Sequence, residues 1–359
     1  MRLKVGRERV RFAVNRASEG LSSTDLIFGG RARLRLLGDD LTIVGRDNST
    51  TVSVSISVEG QTNGDVCVDH GRLSEFLQRA LGQEVQFSLA GKNLKLRSAS
   101  TDIVLPVFPL QAGEFALPEL PRVASTPIRG PGLAITIRRV LAAAHEDAKV
   151  MPLCGVHLAG QSGRFLAEAT DSQRMARASE QVAFPTASAI VGARFASKLA
   201  EIAQAEESVA LRFGSDRVWA EVPGTRLVGS MFYGDFPSLP IAAGTMLASA
   251  RCKAEALASA IAVLRIVDEA AWVSLQLGSE RIKLSAKGAE GAAANCPIEC
   301  ERRTGTATAI VGLNNLRRAC ASLEIENVLL SVVQLGESRI VRLEQEGGAV
   351  VWQLACRVD

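Results

Sequence analysis

The chain has 359 residues, 47% of them apolar and 22% charged, with a net charge of +3. That length allows two or three ordinary domains, each with its own core, and the composition is that of a soluble globular protein. It excludes a membrane-spanning helix, because no apolar run approaches ~18 residues. The opening stretch MRLKVGRERVRFAV lacks the apolar core of a signal peptide, so a cytoplasmic location is expected.

In chain order, RERVRFAVNRASEG (7–20) predicts a helix, and RARLRLLGDDLTIVGRD predicts a pair of alternating strands. CVDHGRLSEFLQRALGQEVQFSLAG (67–91) then reads as a strand end, an amphipathic helix, an acidic turn and another strand. LKLRSASTDIVLPVF adds a strand pair. A Pro/Gly-bearing stretch, LPELPRVASTPIRGPG near 117–132, marks a boundary. The succession then begins again with a helix in TIRRVLAAAHEDA (136–148), strands in CGVHLAGQSGRFLAEATD, and IVGARFASKLAEIAQAEESVALRFG (190–214). VWAEVPGTRLVGSMF closes that copy, before a second boundary in FPSLPIAAGTM near 236–246. The third copy runs through CKAEALASAIAVLRIVDE (252–269), AWVSLQLGSERIKLSAKG, IVGLNNLRRACASLEIENVLLSVVQLG (310–336) and RIVRLEQEGGAVVWQLA.

The corresponding segments start 123 and 120 positions apart, and IVG recurs in the second and third. A period near 120 is too long for a solenoid of ~20–50-residue units. It is a whole domain repeated. The expected fold is α+β, in three tandem domains spanning 1–123, 124–244 and 245–359, each with two helices and roughly eight strands.

Cations recur on the helices outside their apolar stripes. The first copy carries Arg9, Arg11, Arg16, Arg72 and Arg79; the second Arg138, Arg139, Arg194 and Lys198; the third Lys253, Arg265, Arg317 and Arg318. For any one of them a solvated helix face is the plainer reading. Their recurrence in all three copies points to a shared surface for a polyanion, binding phosphates without reading base sequence. One tyrosine and three tryptophans are too few for holding single strands mainly by base stacking.

Catalysis is disfavoured. EATDSQRMA (168–176) gathers polar groups as an active-site loop would, but the equivalent turns VGRDNST and SAKGAEG repeat no such set. Asp171 reads better as a turn-maker. His70, His145 and His157 fall at a helix start, a helix tail and an alternating strand, where structural roles are expected. IFGGRAR and IRGPGLA match neither phosphate-binding nor dinucleotide fingerprints. The seven cysteines (Cys67, Cys154, Cys252, Cys296, Cys300, Cys320, Cys356) show no metal-site spacing, so reduced thiols and no metal or other cofactor are expected.

Three tandem two-helix domains with ATD-x-x-R-[LM]-A in the second resemble the β sliding clamp of bacterial DNA polymerase III. The most specific pieces are PLCGVHLAG (152–160), EATDSQRMA, GDFPSLP (234–240) and VVWQLACRV (350–358), in family order over the whole chain. The resemblance implies a non-catalytic, head-to-tail homodimer closing six domains into a ring, helices inside and sheets outside. Such a ring slides on double-stranded DNA without sequence preference and tethers its polymerase. It implies a pocket between the second and third domains for linear peptides of the polymerase III α subunit, the clamp loader and repair and ligation proteins. By motif, that pocket takes Leu153, Thr170, Ser172, Gln173, Arg174, Met175, Pro237, Trp352 and Leu354, with Ile241 or Ala242 completing it. The dimer contact by analogy joins Ile103 and Leu105 to the helix near Leu264.

Several positions depart from the family pattern. Ser172 and Gln173 stand where glycine and histidine or tyrosine are usual, Met175 replaces leucine, and SLPIAAG lacks a basic pair. The first domain's SSTDLIFGGRARL lacks the usual proline-apolar motif, the balance is slightly basic, and Asp359 extends the tail. These departures suggest as alternatives a specialised second clamp insensitive to a pocket-binding peptide antibiotic, or a clamp-like peptide-binding protein that does not support replication.

Overall fold

The computed structural model describes residues 1–21, 30–110, 114–145, 150–238, 244–269, 271–278, 280–288, 291–301, 303–345 and 348–357. The first copy of the repeat contains β1 (Arg2–Gly6), α1 (Arg7–Ser18), β2 (Arg31–Leu37), β3 (Asp40–Arg46), β4 (Thr50–Ser57), β5 (Glu59–Thr62) and β6 (Gly64–Asp69). It continues through α2 (His70–Arg79), β7 (Glu84–Ala90), β8 (Asn93–Ser98) and β9 (Thr101–Pro106). The second contains β10 (Thr126–Arg129), α3 (Gly130–Leu141), β11 (Gly155–Gln161), β12 (Arg164–Thr170), β13 (Arg174–Gln181) and β14 (Ser188–Gly192). Then come α4 (Ala193–Gln204), β15 (Ser208–Phe213), β16 (Arg217–Val222) and β17 (Thr225–Ser230). The third has β18 (Thr245–Lys253), α5 (Ala254–Val267), β19 (Trp272–Leu277), β20 (Arg281–Lys287), β21 (Ala293–Glu299) and β22 (Arg303–Thr304). It ends with β23 (Ala307–Gly312), α6 (Leu313–Leu323), β24 (Asn327–Leu335), β25 (Ser338–Glu344) and β26 (Val350–Ala355). The α+β fold class expected from the repeats is the one observed.

Local chemistry accounts for these elements. The Asp69 side chain accepts the Arg72 amide at 2.8 Å, capping α2, whose buried Leu73 and Leu77 lie one turn apart. Helix α3 differs from its sequence reading: it begins at Gly130 rather than near Thr136 and ends at Leu141. Pro131 fits the first turn, where its missing N–H has no helical partner in any case. At Gly132 the Glu180 side chain packs close, with Oε1 2.6 Å from where a Cβ would stand. The GPG stretch therefore opens a helix instead of linking domains.

The chain divides into two compact units, Met1–Arg129 with Glu206–Met231, and Gly130–Ala205 with Phe232–Asp359. In the first, a five-stranded sheet (β5-β1-β7-β8-β9) and an eight-stranded sheet (β10-β15-β16-β17-β4-β3-β2-β6) accompany α1 and α2. In the second, a nine-stranded sheet (β14-β11-β12-β13-β26-β25-β24-β18-β22) and a four-stranded sheet (β21-β20-β19-β23) accompany α3 to α6. The large sheets cross the expected boundaries at single antiparallel seams. Leu227 of β17 opposes Val52 of β4, and Ala176 of β13 opposes Trp352 of β26.

The repeat is also written in hydrogen bonds. The amides of Phe108, Phe232 and Arg357 donate to the carbonyls of Cys67 (2.8 Å), Ile190 (2.7 Å) and Ile310 (2.9 Å). Each acceptor lies two residues before the end of the strand leading into the copy's second helix, so all three copies close on the same bond. Among the described residues no helix is long and apolar enough to cross a membrane.

Candidate functional site

The turn between β12 and β13 is built by its own side chains. Oδ1 of Asp171 accepts the amides of Gln173 (3.0 Å) and Arg174 (2.8 Å), which makes Asp171 the turn-maker expected from sequence. The Thr170 hydroxyl donates to the Arg174 carbonyl at 2.8 Å and accepts the Ser172 amide at 3.1 Å. The Arg174 guanidinium reaches Oδ2 of Asp171 (3.1 Å) and Oδ1 of Asn315 on α6 (2.9 Å). Thr170 and Arg174 are thus buried and engaged within the protein, while Ser172 and Gln173 are exposed at the tip. Ser172 has φ +75°, the left-handed region that favours glycine.

Opposed residues in an antiparallel ladder share a face, and successive residues alternate. Arg174 and Ala176 oppose Leu354 and Trp352, whereas Met175 opposes Gln353 and Thr170. Met175 therefore lies on the other face from Trp352 and Leu354. That second face also carries His157, whose ring stacks on Phe236 with centroids 4.9 Å apart, beside the exposed Pro237. Trp352 and Leu354 are wholly buried, and Nε1 of Trp352 donates to the Arg139 carbonyl of α3 at 2.9 Å. This corrects their expected place as pocket walls: both are committed to the core because their strand face is covered by helices. Leu153 is half-buried, its carbonyl accepting the His145 amide at 2.9 Å. Ile241 and Ala242 lie outside the described residues.

A cleft of about 460 Å³ opens beside the tip of the turn, lined by Gln173, Arg265, Glu269, Trp272, Gly312, Leu313, Asn314, Asn315 and Arg317. Sequence reasoning missed Trp272 and Asn315. An aromatic on an alternating strand and a paired Asn at a helix start were the available signals, but neither identifies a neighbour across the fold.

Beneath the Phe236 stack, Glu168 is buried, with Nδ1 of His157 2.9 Å from Oε2 and Nε of Arg177 donating to Oε1 at 2.5 Å. Burial opposes its ionisation, but these two partners outweigh burial and hold the carboxyl below the ordinary carboxylate range. Among the described residues no cluster of acids, histidines or cysteines is arranged to hold a metal ion.

Residues 128–238 match the family model of the DNA polymerase III beta subunit, central domain. The whole chain has the same fold as solved β chains. It superposes on that of Streptococcus pneumoniae with TM-score 0.91 at 14% identity, covering 100% of both chains. The Pseudomonas aeruginosa β subunit gives 0.90 at 18%, again over 100% of both. The Bacillus subtilis sliding clamp gives 0.91 at 16%, over 100% of this chain and 99% of that one. No protein of curated function matches the chain by sequence. The fold is thus shared at low sequence identity.

Against that fold, the helix cations are largely met by neighbouring acids. Arg11 pairs with Glu8 (2.5 Å), Arg16 with Glu206 (2.5 Å) and Arg79 with Glu75 (3.1 Å). Lys198 pairs with Glu201 (3.0 Å), Lys253 with Glu326 (2.7 Å), and Arg265 with Glu269. Arg138 donates to Gln204 at 2.9 Å, Arg317 to Asn314 at 2.9 Å, and Arg318 is half-buried. Arg139 departs from the solvated-face reading: it is half-buried, and burial draws its guanidinium below the usual value. Arg9, Arg72 and Arg194 are exposed. Arg265 and Arg317 also line the cleft beside Gln173.

Of the expected dimer residues, Leu105 and Leu264 are buried within their own units and offer no surface to a partner. Ile103 is half-buried on β9, the edge strand of the five-stranded sheet. The exposed apolar groups nearby in sequence are Val104 on β9 and Val263 and Ile266 on α5. Strand and helix periodicity turn these outward, next to the buried positions that were named.

Proposed function

We propose that the protein is a non-catalytic DNA sliding clamp that encircles duplex DNA as a homodimer and tethers replication and repair proteins. The observation carrying this reading is the clamp fold over the full chain, joined to the central-domain match. The domains of the repeat are 1–123, 124–244 and 245–359. The ring closes head to tail, in a heterologous contact of the kind that generates rings. Edge strands support this: β9 ends one sheet of the first unit and β21 ends one sheet of the second. Pro297 within β21 suits an edge, where a missing N–H leaves no ladder bond unmade inside the sheet. Pairing of β9 with β21 of a second copy removes both bare edges.

The DNA-facing set includes Arg9, Arg72 and Arg194, exposed on α1, α2 and α4. Ion pairs among the helix cations keep phosphate attraction weak, which suits sliding, since topological closure holds the ring. Peptides of the polymerase α subunit, the clamp loader and other partners enter beside Met175 and Pro237 and continue along the cleft of Gln173, Trp272 and Asn315. That cleft has an aromatic wall and amide groups for a peptide backbone. A pocket-binding antibiotic competes there, and Ser172 and Gln173 at its rim are where insensitivity arises.

The test loads the protein onto nicked circular DNA with its cognate loader. Retention on the circle and loss after linearisation is the expected result. A protein that sediments as a monomer at micromolar concentration, or leaves circular and linear DNA alike, overturns the reading. Arg9→Glu, Arg72→Glu and Arg194→Glu together are expected to lower retention steeply with salt while peptide affinity is unchanged.

A further inference from the structure

The first repeat carries a cleft that the clamp reading leaves without a task. It measures about 870 Å³ and lies over one face of the eight-stranded sheet. Arg33, Arg35 and Leu37 project from alternate positions of β2, with Thr42 and Val44 from β3, and Leu110, Phe115 and Leu117 lie along it. A smaller cleft of about 280 Å³ adjoins it, sharing Thr42, Ser55 and Leu117 and running on to Glu221 and Arg226.

The charges in this groove are unevenly satisfied. Arg33 holds both oxygens of Asp65, at 2.8 and 2.5 Å, and also donates to the Phe115 carbonyl at 3.2 Å. Arg35 lies directly across the ladder from Asp65, whose carboxylate is thereby committed to Arg33. Arg35 is exposed and has no ion pair or hydrogen bond among the described residues. Two positions on, Leu37 is 50% exposed, a large apolar side chain in water on the same strand face. Beside it Asp40, opposed to Leu37 across the hairpin, adds a negative charge from β3. Cation and apolar side chain thus follow one another along β2, and the anion stands beside the apolar group on β3.

The repeat gives the groove a counterpart. The segment that borders it begins at Phe108, on the bond to Cys67 equivalent to the one by which Phe232 begins the Phe236–Pro237 segment. In the second repeat that segment stacks on His157; in the first it places Phe108 4.2 Å from the Arg31 guanidinium. The remainder packs Phe115 with Val44 and Cys67, leaving the Arg35–Leu37 strip open.

We propose that this groove is a second peptide-binding site, for an extended segment of a partner protein presenting a carboxylate, an apolar side chain and a cation at alternate positions. Alternate side chains of an extended chain are ~6.8 Å apart on one face, the same spacing as Arg35 and Leu37 on β2. The carboxylate meets Arg35, the apolar group packs on Leu37 and Leu117, and the cation, on a side chain as long as lysine, reaches sideways to Asp40 on β3. The site lies wholly within the first unit and does not depend on ring closure or on the cleft beside Gln173.

The probe is a fluorescein-labelled pentapeptide, Asp-Ser-Leu-Ser-Lys, titrated with the full chain and read by anisotropy. Binding in the range of about 0.1–1 mM is expected from so few contacts. Arg35→Glu is expected to weaken it about tenfold or more and to create binding of Lys-Ser-Leu-Ser-Lys. Leu37→Ser weakens it similarly, and both sites are exposed enough to spare the fold. Trp272→Ala, in the other cleft, leaves the affinity unchanged. Absence of binding at millimolar protein overturns the proposal. So does equal affinity of wild type, Arg35→Glu and Leu37→Ser, or loss on Trp272→Ala alone.

Discussion

Arg174 donates to Oδ1 of Asn315 at 2.9 Å, tying the turn that carries Asp171 to the first turn of α6. The guanidinium is buried, and its ion-pair partner is Asp171 at 3.1 Å. A charge-assisted bond in such a place contributes about 1–3 kcal/mol. A double-mutant cycle of Arg174→Ala and Asn315→Ala, followed by urea unfolding, is expected to show coupling of about 1–2 kcal/mol. Strict additivity would show that the contact has no energetic consequence.

Ser172 sits at φ +75° on the tip of the same turn, exposed and therefore not held there by packing. A left-handed conformation costs a non-glycine residue about 1–2 kcal/mol, part of which glycine returns as chain entropy when unfolded. Ser172→Gly is expected to be neutral or stabilising by up to about 1 kcal/mol, whereas Ser172→Val destabilises by about 2 kcal/mol. Thermal unfolding of the three proteins decides the order.

Leu354 and Met175 separate packing from recognition. Leu354 is wholly buried, so Leu354→Ala opens a core cavity and is expected to cost about 2–5 kcal/mol. Met175 is half-buried on the opposite face, and Met175→Ala is expected to cost less than about 1.5 kcal/mol while weakening peptide capture. Equal loss of stability in the two variants would contradict the strand register.

Acid should find Glu168. Its folded carboxyl is held below the ordinary range, so its stabilisation is complete above the unfolded value, about 4.3. That contribution is lost as pH falls through the lower, folded value. The melting temperature is expected to fall as the pH drops below about 4.3, and to fall less steeply in Glu168→Gln. Parallel pH profiles would remove Glu168 from the account.

Burial pushes the thiols of Cys67 and Cys252 up to about 12. Only about one in ten thousand of each is then thiolate at pH 8. Alkylation followed by mass spectrometry should leave both unmodified in the native protein and label them after denaturation. Rapid native labelling of either would mean that the sheet around it opens readily.

The repeat was legible because its signals are local. Alternation in RARLRLL and helical spacing in SEFLQRAL survive without knowledge of neighbours, and three copies reinforce one another. Helix α3 was misread at its start because Gly-Pro-Gly is a linker signature wherever no partner is known. The Glu180 side chain that packs against Gly132 comes from β13, which no local pattern names. The site was harder. EATDSQRMA named the turn and Asp171 its maker, yet the same residues gave no sign that Thr170 and Arg174 are spent within the protein.

By itself, then, the sequence determined three copies of one α+β unit, the order of strand and helix in each, and the turn at Asp171. These follow from periodicity and from backbone hydrogen bonding by short polar side chains, which act over a few residues. Tertiary structure alone decided which side of each strand meets water. Pairing of β13 with β26 buried Leu354 and Trp352, the ladder from β2 to β6 committed Asp65 to Arg33, and α6 brought Asn315 to Arg174. Burial and charge pairing depend on partners more than a hundred residues away in two of these cases, and no local pattern encodes them.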